Sequence, residues 1–265
     1  MAATLCHIFC FSPTGGSLKI AEAIAEGTGL PRRLSDVTLP DQRSVAADFS
    51  PEALVILAAP VYFGRVERHA AEAVASLRGR GQPAVLVVNY GNRHYDDALL
   101  ELRDLAIKAG FVPVAAGAFV SEHSFSTPEC PMAQGRPDSD DLERAKRFGG
   151  EVMARLAGGA ATPPAGPLAV PGAFPYKAYP DVHRAPVQDE DKCSLCGLCE
   201  SLCPVAAISI RDAAVSTDAQ TCILCQACVK GCPEGARADS APGAKETRER
   251  LAPLVRERRE PEVFL

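Results

Sequence analysis

The chain has 265 residues, of which 47% are apolar and 23% charged, with a net charge of −5 and a pI near 5.6. This length predicts about two domains with a buried core, and the composition excludes global disorder, collagen and coiled coil. The acidic balance lacks the basic footprint that a phosphate backbone requires, so nucleic acid is excluded as a partner.

No run of 18 apolar residues occurs, and the longest candidate, 54–61, has the length of a buried strand, so no membrane span is expected. The apolar N-terminal run 5–11 lacks a basic flank and a small-residue cleavage site and reads as a first strand, not a signal peptide. A cytoplasmic protein is expected. There, eleven cysteines point to metal ligands or buried thiols before disulfides.

Along residues 1–157, short β-type runs alternate with stretches of helical period, the pattern of parallel strands joined by crossover helices. Strands are expected at 4–11, 33–38, 53–59, 84–89 and 111–121, with helices at 17–27, 66–78, 95–109 and 138–157. The runs 54–57 and 85–88 are apolar at every position, which suits strands covered on both faces. The fold class expected is α/β, a doubly wound parallel five-stranded sheet. Cys6 and Cys10 alternate on one face of the first strand and are expected to pack as small hydrophobes. Cys130 is expected to be an inert loop thiol.

Three loops follow strands and carry chemistry. The first, Ser12-Pro13-Thr14-Gly15-Gly16-Ser17, opens a helix with hydroxyls and glycines, as an anion site does, and has neither the P-loop lysine nor the dinucleotide glycine pattern. The second is Pro60-Val61-Tyr62-Phe63-Gly64-Arg65 and the third Asn89-Tyr90-Gly91-Asn92-Arg93. With the strand order 2-1-3-4-5, all three open at one sheet edge, beside the topological switch point where a ligand sits. Tyr62, Phe63 and Tyr90 are the aromatics available to cover a flat ring, since the chain has no Trp. His123, just after the fifth strand, is a candidate proton donor with an ordinary pKa near neutrality. Arg65 and Arg93 are candidates to neutralise a reduced ring or hold a substrate carboxylate, with surface ion pairs as the plainer alternative.

Residues 158–188 are rich in Pro and Gly, including Pro163, Pro164, Pro171, Pro175 and Pro180, and read as a semi-extended linker. Its aromatics Phe174, Tyr176 and Tyr179 suggest that part of it packs, in a docked arrangement. Next comes an internal repeat, C-x-x-C-x-x-C-x-x-x-C-P, as Cys193, Cys196, Cys199, Cys203, Pro204 and again as Cys222, Cys225, Cys228, Cys232, Pro233. In two-cluster proteins with this run the fourth cysteine ligates the other cluster. The expected ligand sets are therefore Cys193, Cys196, Cys199 and Cys232 for one [4Fe–4S] cube, and Cys222, Cys225, Cys228 and Cys203 for the other. Paired zinc sites do not need this spacing. The last stretch, 245–262, is charged with mixed sign and reads as a solvated helix with a frayed end.

Over about 50 residues the cysteine repeat resembles the bacterial two-[4Fe–4S] ferredoxin family, and the three loops together resemble the flavodoxin family, whose cofactor is FMN. With Glu122-His123-Ser124-Phe125, the whole chain looks like the EFR-type family of flavodoxin–ferredoxin fusions. That resemblance implies a flavodoxin-like FMN-binding domain at 1–157, the linker at 158–188, a C-terminal α+β ferredoxin domain at 189–240 and a charged segment at 241–265. FMN is expected on Ser12, Thr14, Gly15, Gly16, Ser17, Pro60, Val61, Tyr62, Phe63, Gly64, Asn89, Tyr90, Gly91 and Asn92. The implied function is an oxidoreductase that passes electrons between two clusters and FMN and reduces a small acceptor. The alternative is an electron carrier that docks on partner redox proteins and reduces no small molecule itself.

Overall fold

The computed structural model describes residues 3–43, 47–158 and 166–265. Linker residues 159–165, with Pro163 and Pro164, lie outside the described residues. Five parallel strands, β1 (Leu5–Cys10), β2 (Arg32–Asp36), β3 (Ala53–Tyr62), β4 (Pro83–Tyr90) and β5 (Val112–Val120), pair in the order β2-β1-β3-β4-β5. This is the flavodoxin-like order of a doubly wound sheet. The uninterrupted apolar runs are explained by two separate cores. Ile8, Leu54, Ile56, Val85 and Val87 pack on one face, and Phe9, Val55, Leu57, Leu86 and Val88 on the other. Cys6 and Cys10 are fully buried in the first of these cores.

Helices α1 (Gly16–Thr28) and α4 (Ser139–Ala157) cover the first face, while α2 (Arg68–Ser76) and α3 (Ala98–Lys108) lie over the second. Glycine sets the α1–α4 distance. A Cβ on Gly27 would overlap the Lys146 carbonyl, and one on Gly149 would overlap that of Ile24. The start of α4 is fixed by a capping box between Asp138 and Asp141.

The cysteine module repeats itself in backbone as well as in sequence. Short helices Leu198–Ser201 and Ala227–Lys230 follow matching loops, and a hairpin of Ile208–Arg211 with Ala214–Thr217 lies between the two halves. Left-handed residues recur at equivalent places: Leu195 with Leu224, Gly197 with Gln226, and Ala206 with Gly235.

The linker docks along α3. Both oxygens of the Asp97 carboxylate accept from linker N–H groups, those of Ala173 and Lys177, at 3.0 and 2.8 Å. The Tyr176 hydroxyl donates to Asp104 at 2.6 Å, and the Tyr179 hydroxyl donates to the Val66 carbonyl. Phe174 remains exposed.

The C-terminal stretch departs from the solvated helix that its charge pattern suggested. Helix α5 (Ala244–Leu251) and a 3-10 turn, Ala252–Val255, lead into β6 (Glu262–Phe264), which pairs antiparallel with β5. An unpaired edge strand offers free N–H and C=O groups, and here the chain's own tail takes them. Three polar anchors hold the tail. Asn92, only 2% exposed, donates to the carbonyls of Val255 and Glu257 at 2.8 Å and accepts the Arg259 N–H at 3.0 Å. Tyr95 donates to Glu262 at 2.8 Å, and Arg136, paired with the buried Asp141, donates to the Arg259 carbonyl at 2.7 Å. Among the described residues, no helix is long and apolar enough to cross a membrane.

Replacing Asn92 by Ala strands two carbonyls and one N–H at once, each unsatisfied group costing about 1–3 kcal/mol where it stays buried. The expected outcome is faster amide hydrogen exchange across 255–265 with β1 and β3 still protected. Uniformly faster exchange, or none, would show that the tail is not anchored there.

Candidate cofactor site

A cavity of about 470 Å³ lies at the carboxyl ends of β1, β3 and β4, and its size is that of a small-molecule or cofactor site. One end is the loop of Ser12, Pro13, Thr14 and Ser17. Ser12 is held from both sides: its N–H donates to Thr38 Oγ1 at 2.9 Å, and its Oγ accepts the Leu18 N–H at 3.0 Å. Gly15 is the N-cap of α1 with φ of 82° and supplies no side-chain cap. The first-turn N–H groups of Gly16 and Ser17 therefore meet no intrahelical carbonyl, and together with the hydroxyls they suit an anion. Gly15 and Gly16 shape this loop without lining the cavity, and Gly16 borders an adjoining cleft.

The Ser121 hydroxyl lines the cavity, is buried and has no hydrogen-bond partner. A Cβ on Gly16 would stand 2.5 Å from it, and one on Gly91 would collide with the His123 ring. The orphaned hydroxyl, the bare backbone at Gly91 and the open helix start form a cradle that fits a phosphate-bearing ring cofactor.

Pro60, Val61, Tyr62, Phe63 and Gly64 form one wall, and Asn89, Tyr90 and Gly91 another. Phe63 lines the cavity while 46% exposed, with φ of 56°. Burial pushes the Tyr62 phenol well up, with the Cys225 and Glu67 charges adding to the shift, and Ser124 is its hydrogen-bond partner. Burial likewise pushes Tyr90 up to about 12.

Two expectations for site residues are corrected. Arg65 does not line the cavity: its guanidinium forms a bidentate pair with Glu101 at 2.6 and 2.7 Å and also donates to the Lys177 carbonyl. Asn92 does not line it either, because its amide is spent on the C-terminal tail. Arg93 does border the cavity, paired with Asp96, and that carboxylate also holds Lys177 Nζ at 2.7 Å.

His123 borders the cavity but does not titrate near neutrality. Burial, followed by the charges of Lys230 and Arg93, holds its pKa down at about 4. Its Nδ1 accepts the Phe125 N–H at 3.1 Å, which leaves the proton of the neutral ring on Nε2.

Sequence reasoning missed the residues that reach the cavity from far along the chain. Lys177 and Pro180 come from the linker, Thr247, Arg250, Leu251 and Leu254 from α5 and the turn after it, and Ile223 and Leu224 from the cysteine module. The packing aromatics of the linker were the available signal for the first group; nothing in the local sequence marked the others.

Two small voids are each ringed by four cysteines. Cys193, Cys196, Cys199 and Cys232 surround one, and Cys203, Cys222, Cys225 and Cys228 the other. The fourth cysteine of each run is fixed the same way: Cys203 Sγ accepts the Ala207 N–H at 3.2 Å, and Cys232 Sγ the Ala236 N–H at 3.3 Å. Among the described residues, no three His, Cys, Asp or Glu side chains converge as ligands of a single ion. Each ring encloses a volume, as a cube of iron and sulfide requires. Burial pushes the Cys222 thiol up to about 11 and Cys225 further, so these groups become thiolates when a cation takes the place of their protons.

The second ring abuts the cavity, and Ile223 lines both. Lys230 Nζ meets Glu122 at 2.6 Å and Arg43 donates to the Pro204 carbonyl at 2.7 Å, which ties the cysteine module to the sheet domain.

Residues 186–209 match the family model of the 4Fe-4S binding domain. The chain therefore joins such a domain to a doubly wound domain of flavodoxin-like strand order. Among solved structures it is similar to a flavodoxin of Streptococcus pneumonia TIGR4, at 20% identity over 57% of this chain and 99% of that one, with a TM-score of 0.39. A WrbA-like flavodoxin of Agrobacterium tumefaciens matches at 21% identity over 59% and 99%, TM-score 0.37. The rubredoxin oxygen:oxidoreductase of Desulfovibrio gigas matches at 14% identity over 61% of this chain and 38% of its own, TM-score 0.41. At these scores it is the strand order and register that define the fold.

Because burial controls His123, its ring should titrate near pH 4, well under the ordinary 6.5, and carry its proton on Nε2. Long-range proton–nitrogen NMR of histidine-labelled oxidised protein checks both; a midpoint between pH 6 and 7 would remove burial as the cause.

Proposed function

We propose that this chain is an iron–sulfur flavoprotein oxidoreductase, of the EFR type, in which two [4Fe–4S] clusters and one FMN exchange electrons and the flavin side reduces a small acceptor. The observation that carries the reading is the position of Ile223, one residue from Cys222, which borders both the second cysteine ring and the cavity. Ser12, Thr14, Ser17 and the first N–H groups of α1 would hold the FMN phosphate. Gly64, Asn89 and Gly91 would present backbone and amide groups to the ring edge, with Tyr62, Phe63 and Tyr90 beside its faces. The two rings of four cysteines would hold the clusters. When bound, the clusters supply single electrons and the flavin both single electrons and pairs.

The chain's own groups do the rest. Leu251, Leu254 and Pro180 give the cavity an apolar wall at its open side. Arg93 and Lys177 share the single carboxylate of Asp96, Arg250 adds a third cation, and the charge of Glu122 is met by Lys230, so the lining stays net positive and favours an acceptor with negative charge. Neutral His123 offers a hydrogen bond from Nε2 and is a poor acid at neutral pH.

A second reading, an electron carrier that docks on partner proteins, is favoured by the face around Cys196. That cysteine is exposed, with Leu195 and Leu198 37% and 39% exposed beside it and Glu190, Asp191, Glu200 and Glu234 exposed nearby. A redox partner meeting this face would serve either reading. Turnover of a small anionic acceptor by the protein alone separates the two.

Anaerobically isolated protein should contain about eight irons and eight acid-labile sulfides per chain, two cubes' worth. Replacing Cys203 by Ala should remove the cluster of Cys222, Cys225 and Cys228 and leave the one beside Cys203 in sequence, halving the iron. Two zincs without sulfide would end this reading. Separately, replacing Thr14 by Asp puts a negative charge beside the phosphate site and should weaken FMN binding at least about tenfold, about 1.4 kcal/mol. Unchanged flavin affinity, measured by fluorescence titration, would place the phosphate elsewhere.

A further inference from the structure

The two cysteine rings are related by the repeat but are not equivalent. Directly after the second cysteine of each run stands a left-handed residue: Gly197 with φ of 80° in the first half, Gln226 with φ of 64° in the second. Glycine adopts this conformation freely, whereas a residue with a side chain is strained in it. Gln226 carries a further cost. It is 3% exposed, and neither its Oε1 nor its Nε2 has a hydrogen-bond partner. Its backbone is pinned, since its carbonyl accepts the N–H groups of Val229 and Lys230 at 3.1 and 2.9 Å. Gln226 itself lines the void ringed by Cys203, Cys222, Cys225 and Cys228. A buried amide left unpaired needs a partner that is not protein, and the void is where one fits.

We propose that the Gln226 carboxamide donates from Nε2 to a sulfur of the cluster in this second ring, and thereby makes that cluster the easier of the two to reduce. The inference rests on the two-cluster reading. The sign follows from charge: reduction adds one electron and no proton, so the cluster becomes more negative, and a donor to its sulfur stabilises the reduced form. Burial alone works the other way. Cys203, Cys225 and Cys228 are each under 10% exposed, whereas Cys196 of the first ring is exposed, so without a donor an electron would favour the outer cluster, away from the cavity.

Arg237 is a second donor near the rings: it acts on both by charge and also hydrogen-bonds Cys228 of the second ring, an effect of the same sign that is unchanged when only Gln226 is replaced. Its buried guanidinium donates to the Pro186 carbonyl and to Thr217 Oγ1, borders the void of the first ring, and its charge is felt by Cys199 of one ring and Cys228 of the other. Gln226 has no counterpart in the first half, where the equivalent residue has no side chain. One electron arriving from an external reductant at the exposed ring would thus pass to the ring beside Ile223, at the edge of the cavity.

The test is a potentiometric titration of the full-length anaerobic protein with dithionite, followed by electron paramagnetic resonance. Gln226→Gly relieves the backbone strain and copies the first half, so the chain is expected to fold and to keep its iron. The reduction equilibrium constant of one cluster should fall at least about tenfold, about 59 mV for one electron, while the other stays in place. Gln226→Glu should move the same cluster further in the same direction. In a Cys203→Ala background, which lacks the second cluster, Gln226→Gly should leave the remaining midpoint where it was. Midpoints unmoved in a protein with about eight irons would overturn this inference alone, as would an equal shift in the Cys203→Ala background. An iron content near four in the unaltered protein would overturn the two-cluster reading and this inference with it.

Discussion

The ion pair between Arg65 and Glu101 is the interaction on which the arrangement of the site depends. Its side chains are 13% and 7% exposed, its geometry is a two-pronged fork, and Glu101 also accepts the Val66 N–H at 3.0 Å. Tyr176 and Tyr179 bring their rings to within 4.8 and 4.6 Å of the same guanidinium, and the Lys177 carbonyl accepts from it. One cation thus joins the loop after β3, the helix α3 and the linker. Removing either partner would leave an uncompensated buried charge, at a cost of about 3–5 kcal/mol. The pair also sets the linker's path: anchored here, the chain carries Lys177 and Pro180 to the cavity and delivers the cysteine module to the sheet edge.

That edge is where three distant parts of the chain meet. A parallel sheet directs the loops of β1, β3 and β4 to one side, and the linker, α5 and the second cysteine ring close over them. Contacts that hold the module against the sheet include Lys230 with Glu122 and the His123 carbonyl, Arg43 with the Pro204 carbonyl, and Ile223 packed on the sheet core. The tail adds a second restraint, crossing from α5 to β6 and pinned by Asn92, Tyr95 and Arg136. Since α5 forms one wall of the cavity, the anchoring of the tail and the shape of the site are mechanically connected.

The repeated halves of the cysteine module share a backbone and differ in environment. The first ring faces outward with Leu195, Cys196 and Leu198 exposed, and the second is buried against the sheet domain, with Leu224 lining the cavity. A symmetrical scaffold placed against an asymmetrical surface makes one half outer and the other inner. That difference gives direction to the pair of rings, and Gln226 is where the sequence of the two halves departs most clearly to match it.

Periodicity was enough to derive the five parallel strands and the helices between them, and spacing was enough to single out the loop at 12–17 and the two runs of cysteines as candidate sites, because each is a short-range pattern. Strands buried on both faces must be apolar at every position, an open helix start needs small and hydroxyl-bearing residues, and cysteines at fixed short spacings can wrap only a narrow range of shapes. Tertiary structure decided what depends on a partner far along the chain. Arg65 became a structural anchor because Glu101 stands opposite it, and Asn92 a tail anchor because residues 255–259 return to it, more than 160 positions later. His123 lost its neutral-range titration to burial, which no local pattern records. The charged tail concealed a strand, since the edge of β5 that it covers exists only once the sheet is formed.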